Sequence, residues 1–286
     1  MGLKQKLADA IYNELKFKDH IIKHFSEKHP KNYSYYYENK YADPVINGYK
    51  KRKSEWVAGK KNGLIRGCSI ASSARLCFLY FYDDILKDSL IELEKKMNND
   101  LKKGGPSYMD AYSSNGNIYY EAKCQEITDA KGLLSMSYKD SDLFKDFGVN
   151  ENKITFKKNK IQFPISELGI QDIEDICYNK LTFDLKQLIC HLIALAYSDK
   201  TNNKTLQYLF FTPSKDAIEN NKDLKKLYDK LDKEIEAIWN SNKIKDFCVE
   251  HHILLAKPKF IEINFLEDKV YPNVKWKKII KTTGIY

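Results

Sequence analysis

The apolar positions change period several times along the chain, and each change predicts an element. Leu3, Leu7, Ile11 and Leu15 fall at helical spacing and charges interrupt them throughout, so residues 1–30 are expected to be helical and on the surface. Residues 31–66 lose that period. There Tyr33, Tyr35, Tyr36, Tyr37, Tyr41 and Tyr49 are interleaved with Lys40, Lys50, Lys51, Arg52, Lys53, Lys60 and Lys61, in a segment expected to be irregular. Such a mixture suits stacking on bases and gripping phosphates, and equally suits a packed tyrosine cluster with a solvated rim. From Ile70 to Leu86 the chain is apolar and helix-compatible, with Ser72 or Ser73 as cap. Two periods then compete. Leu86, Leu90, Leu93, Met97 and Leu101 continue a helix toward Gly104-Gly105, whereas Ile91 and Leu93 alternating with Glu92 and Glu94 spell a strand.

The strongest local signal lies in residues 104–127, where two alternating runs flank Asn115-Gly116, the pair most typical of a two-residue hairpin turn. That turn sets Ser114 opposite Asn117, Tyr112 opposite Tyr119 and Asp110 opposite Glu121. Opposed carboxylates have Cβ atoms roughly 4.5–5.5 Å apart, which destabilises a sheet unless something compensates. A period of two puts Lys123 on the face of Glu121. Two carboxylates and an ammonium on one face suit a divalent-metal site beside a cationic group. The alternative is an ordinary ribbon with a solvated charged face, and the triplet alone decides nothing. Glu14, Glu38, Asp100, Glu151, Asp184 and Asp223 also begin an acidic-x-Lys triplet.

Downstream, 129–152 is polar and loop-like, and 153–163 alternates as a short hairpin around Lys158-Asn159. Residues 183–197 read as a helix with Leu185, Leu188, Ile189, Leu192, Ile193 and Ala196 on one face, and Asp184, Gln187 and His191 on the other. Leu206 to Thr212, before Pro213, suits a strand buried on both faces. Residues 222–248 form an amphipathic helix, and 253–264 add one or two strands. The order helix, strand, strand, strand, helix, strand predicts an α/β core with a mixed sheet. One domain spans 1–286, with an N-terminal extension at 1–69, a core at 70–212 and C-terminal additions at 213–286.

Composition narrows the partners. Lys and Arg number 48 against 39 Asp and Glu, a net charge of +9, which suits a polyanion. Only Arg52, Arg66 and Arg75 are arginines, so many phosphate contacts and few guanine-reading forks are expected. A genome rich in A and T would produce the same bias. The six cysteines are scattered without a CxxC pair, which favours reduced thiols in a cytoplasm over a zinc cluster. No apolar run is long enough to span a bilayer. His251-His252 after Glu250 lacks zinc-protease spacing, and His20, His24 and His29 sit among surface lysines.

Asp110 followed by Glu121-Ala122-Lys123 resembles the PD-(D/E)xK nuclease superfamily, and the flanking chain is similar to its bacterial restriction-endonuclease-like members. Ser72-Ser73 resembles their Ser-Ser helix. Ile91-Glu92-Leu93-Glu94 before Gly104-Gly105 resembles the strand ending in Glu ahead of a Gly-rich approach. Gln187-Leu188, with His191 one turn later, resembles the Gln-Leu helix. The likeness runs from about Ile70 to Thr212, with Met109 where the family often has Pro. It favours the strand at 90–95. It implies a restriction-endonuclease-like α-β-β-β-α-β core with a helical N-terminal and an α/β C-terminal addition. It implies a Mg²⁺-dependent endonuclease of restriction or defence type, with Mn²⁺ able to substitute, acting on double-stranded DNA as a cytoplasmic protein, with a homodimer among its arrangements. Asp110 and Glu121 would bind the metal with Glu94 as an extra acidic group, Lys123 would orient or deprotonate the attacking water, and Gln187 would position water or phosphate. A non-catalytic basic module that binds nucleic acid or protein, and a repair or single-strand nuclease, remain as alternatives.

Overall fold

The computed structural model describes residues 2–16, 18–27, 31–38, 64–86, 91–97, 107–135, 146–158, 160–171, 173, 176–198 and 203–266. Tyr41, Tyr49, the lysines of 40–61, Gly104-Gly105 and His29 lie outside them.

The N-terminal helix α1, Leu3–Glu14, buries Leu7, Ala8 and Ile11, so its apolar stripe does face the core. It ends far short of residue 30. Ile21–Phe25 (β1) pairs antiparallel with Tyr33–Tyr37 (β2), which places five residues of the expected helix and the start of the expected irregular segment in a ribbon. β-branched and aromatic side chains favour a pleated, half-buried surface, and here Tyr12 of α1 stacks on Tyr35 with centroids 4.2 Å apart.

The helix expected over 70–86 forms in two pieces, α2 (Ser73–Tyr80) and α3 (Tyr82–Leu86), capped at its start by Ser72, whose side chain accepts the Arg75 N–H. Ile91–Lys96 is strand β3, as the alternation requires, followed by β4 (Tyr108–Ser113) and β5 (Ile118–Lys123). A small sheet follows: β6 (Leu134–Ser135), β7 (Thr155–Lys157) and β8 (Lys160–Gln162), the last two making the hairpin expected around Lys158. The polar stretch 129–152 therefore contributes a strand, and also buries Phe147 and Val149. Helix α4, Leu185–Ser198, leads to β9, Lys204–Thr212. The expected single helix over 222–248 is broken at Ser241. After α5 (Lys215–Glu219) come α6 (Lys222–Asn240) and α7 (Asn242–Glu250), and the Ser241 hydroxyl caps α7 by accepting the Ile244 N–H. Strands β10 (Ile253–Leu255) and β11 (Lys259–Glu262) close the described chain.

The result is a mixed α/β fold with a central sheet ordered β10-β9-β5-β4-β3, with β11 also on β9. β4 runs antiparallel to both β3 and β5, whereas β5, β10 and β11 run parallel to β9. One face carries Tyr120 and Phe211, which meet Phe81 and Tyr80 at the end of α2. The other face carries Glu121 and Tyr208, and α4 packs over it. All six cysteines are free, and among the described residues no helix is long and apolar enough to cross a membrane.

Candidate active site

The β4–β5 hairpin sets the site. Its turn is four residues long, Ser114 to Asn117, with positive φ at Gly116 (84°) and Asn117 (52°), in place of the expected two-residue turn. Asn117 is held there by its side-chain amide donating to the Asn203 carbonyl at 2.8 Å, while the Tyr112 hydroxyl donates to its Oδ1 at 3.2 Å. The longer turn leaves the register as expected: Ser113 pairs with Ile118, Tyr112 with Tyr119 and Ala111 with Tyr120. Continued one residue past the last pair of the ladder, that register sets Asp110 opposite Glu121. A slip of one residue would send the two carboxylates to opposite faces.

Glu121, only 3% exposed, is the centre of the cluster. Lys123 donates to its Oε1 at 2.5 Å, and the Gln187 amide, from the first turn of α4, donates to the same oxygen at 2.6 Å. One turn on, His191 Nε2 lies 3.1 Å from Oε2 without an aligned hydrogen bond, and its Nδ1 lies 2.8 Å from the Ser107 hydroxyl. Gln187 is set in place by Asp184, whose Oδ1 accepts the Gln187 N–H at 3.0 Å and caps the helix. Gln187 and His191 are thus no solvent face: His191 is 2% exposed and both reach the sheet.

Asp110 points its Oδ2 at the Ala122 N–H, 2.7 Å away. Burial, then the negative charge of Glu121, push its carboxyl well above the usual range, against the pull of Lys123 and that N–H. Burial would push Glu121 up as well, but Lys123 and His191 outweigh it and hold the carboxyl at about 2. Burial would strip the proton from Lys123, yet Glu121, Glu126 and Asp110 keep it on, above the usual lysine range. The cluster therefore holds one firm anion, one firm cation and one carboxyl that cannot comfortably ionise.

Three contributors escaped the sequence pattern. Glu126, on the 3₁₀ turn after β5, accepts the Ser73 hydroxyl at 2.7 Å and the Cys124 N–H at 2.9 Å, tying the start of α2 to the end of the site strand. Ser107 braces His191, and Lys131 donates to the Glu126 carbonyl at 2.6 Å. Only their partner Ser73 had a signal, in the Ser-Ser pair; the three themselves arrive by packing. Glu94 occupies the β3 position between Leu93, paired with Ala111, and Lys95, paired with Met109, and so lies opposite Asp110. Its φ of 53° is left-handed, a backbone costing about 1–3 kcal/mol for a non-glycine residue. Among the described residues no three His, Cys, Asp or Glu side chains converge as a metal cage.

The donor set nonetheless fits a hard divalent cation. Two neighbouring carboxylates, Glu121 buried and Asp110 half-buried and resisting ionisation, lack the positive charge that would let both ionise. Mg²⁺ is typically held by one or two carboxylates, with water and substrate phosphate completing its shell. No model of a known protein family, no curated protein and no solved structure matches the chain.

Proposed function

We propose that this protein is a metal-dependent DNA endonuclease of the PD-(D/E)xK type, cutting phosphodiester bonds at Asp110, Glu121 and Lys123. The observation that carries this reading is the opposition of Asp110 and Glu121 across one hairpin, with Lys123 bonded to Glu121 and Gln187 arriving from the following helix. The run α2, β3, β4, β5, α4, β9, with its mixed sheet, supports reading the centre of the chain as a restriction-endonuclease-like core.

Asp110 and Glu121 would hold Mg²⁺, which when bound polarises the scissile phosphate and acidifies a water. Lys123, bonded to Glu121 at 2.5 Å, would serve as a donor and a positive charge, or help deprotonate the attacking water. Its ammonium orients water or a phosphate oxygen and offsets the charge that grows in the transition state. Gln187 holds Oε1 of Glu121, and His191, braced by Ser107, lies against Oε2, so the carboxylate's rotamer is set from α4. The +9 net charge, carried mostly by lysine, favours a phosphate backbone as the partner.

The test is cleavage of supercoiled plasmid with Mg²⁺, with Mn²⁺ and with EDTA, by the wild-type chain, Lys123→Ala and Asp110→Asn. Metal-dependent cutting is expected to be lost in Asp110→Asn and slowed roughly 10²–10³-fold in Lys123→Ala. Cutting at the wild-type rate in either variant removes the site assignment. No cutting of any DNA or RNA form would leave a basic binding module, and cuts that map to no short duplex sequence would favour a repair or single-strand nuclease.

A further inference from the structure

Beside the carboxylates, two lysines flank an exposed glycine in the segment that leaves the 3₁₀ turn. Lys131 is half-buried, with its ammonium pinned at 2.6 Å on the Glu126 carbonyl, so it has a set position instead of sweeping through solvent. Gly132 follows, and a Cβ placed there would stand 3.7 Å from the ammonium of Lys186, on the first turn of α4. Lys186 is half-buried and has no hydrogen bond or ion pair among the described residues. Burial pushes the Lys131 ammonium below the usual lysine range and the site's own Lys123 adds to the push, while Asp184, Asp129 and Glu126 pull it back. Lys186 stands across Gly132 from that segment, with no carboxylate within bonding reach among the described residues. An ammonium without a carboxylate partner is stabilised when an anion binds beside it.

We propose that Lys131 and Lys186, on either side of Gly132, form a backbone-phosphate subsite that grips the nucleic acid next to the phosphate facing Lys123. The subsite rests on the nuclease reading for its ligand and is independent of the cutting step. Gly132 has no side chain to stand between the two ammonium groups and a phosphate oxygen. Lysine suits this task because it neutralises phosphate as a point charge and imposes no base preference.

The test is binding of a fluorescent duplex oligonucleotide to the full chain in EDTA across a series of salt concentrations. The wild type is compared with Lys131→Gln, Lys186→Gln, the double variant and a control, Lys225→Gln. The Lys131→Gln variant retains a side-chain amide to donate to the Glu126 carbonyl, so the loop keeps its pin while losing the charge. Each subsite substitution is expected to lower the slope of log affinity against log salt by about 1. The loss of affinity from 50 to 200 mM salt then shrinks by about 3- to 4-fold per lysine. The control slope stays at the wild-type value, and thermal midpoints stay together. Unchanged slopes in a chain that still cuts DNA would overturn the subsite alone. Lowered slopes in a chain that never cuts with Mg²⁺ or Mn²⁺ would support the subsite and overturn the nuclease. Failure of the wild type to bind any duplex would overturn both.

Discussion

Two antiparallel hairpins rich in polar and charged side chains, β1–β2 and β4–β5, resolve their polarity in opposite ways. In β1–β2 the groups satisfy one another. Asp9 of α1 accepts the Tyr33 and Tyr35 hydroxyls at 2.9 Å, and the Lys23 ammonium lies 3.7 Å from the centroid of the Tyr33 ring. In β4–β5 the groups conflict: Asp110 is driven toward its protonated form by burial and by the Glu121 anion beside it, while the half-buried Lys123 holds that anion in place. Completed hydrogen bonds mark structure. A residual conflict among poorly solvated charges marks a place where a ligand, on the proposed reading a cation and a phosphate, would restore balance.

That contrast can be broken by substitution. The largest effect is expected from Glu121→Ala, which strands Lys123 and Gln187 and should destabilise the fold by about 3 kcal/mol in urea unfolding, with all cleavage lost. A loss below ~1 kcal/mol would mean that Glu121 is not the hub. Lys123→Ala should slow cleavage by roughly 10²–10³-fold with little change in duplex affinity, read from single-turnover kinetics. Asp9→Ala in the other hairpin should cost about 2 kcal/mol by freeing two tyrosine hydroxyls, and leave metal-dependent cleavage by the remaining folded protein unaltered. Were cleavage to fall instead, the N-terminal ribbon would belong to the site.

Acid titration sharpens the comparison further. Glu121 has a lowered carboxyl, so its stabilising contribution is present above the unfolded-state value near 4.5 and disappears as pH falls toward about 2. Asp110 has a raised carboxyl, so it costs stability once pH rises above its unfolded-state value near 3.8. Unfolding measured from about pH 2 to about pH 7 should therefore show a Glu121-dependent acid limb that Glu121→Gln abolishes. The smallest effect is the most diagnostic. Asp110→Asn keeps an oxygen for the Ala122 N–H and removes the conflict, so the metal-free protein should gain roughly 0.5–2 kcal/mol while cleavage is lost. A destabilised Asp110→Asn protein would mean that Asp110 was already satisfied.

Some of this was legible from the residues. The alternation around Asn115-Gly116 specified which carboxylates oppose each other, and it survived a turn two residues longer than expected because the extra residues fall symmetrically on both strands. The alternation at Ile91 to Glu94 won over the helical spacing of Leu86 to Leu101. Helical spacing at the N-terminus overreaches, since Ile21 to Phe25 lends itself to either structure until Tyr33 to Tyr37 pairs with it. Ser107, Glu126 and Lys131 carry no periodic signal; each meets its partner through packing.

The sequence by itself determined the local terms: the register of Asp110 against Glu121, the shared face of Lys123, and a helix with Gln187 and His191 one turn apart. Turn chemistry and side-chain period act over a few residues and need no partner. Only the tertiary structure decided that Gln187, 66 residues beyond Glu121, donates to it, and that His191 is buried against it and not in solvent. The reason is the parallel pairing of β5 with β9. Parallel neighbours require a crossover, and the crossover carries α4 back over the sheet face on which Glu121 stands.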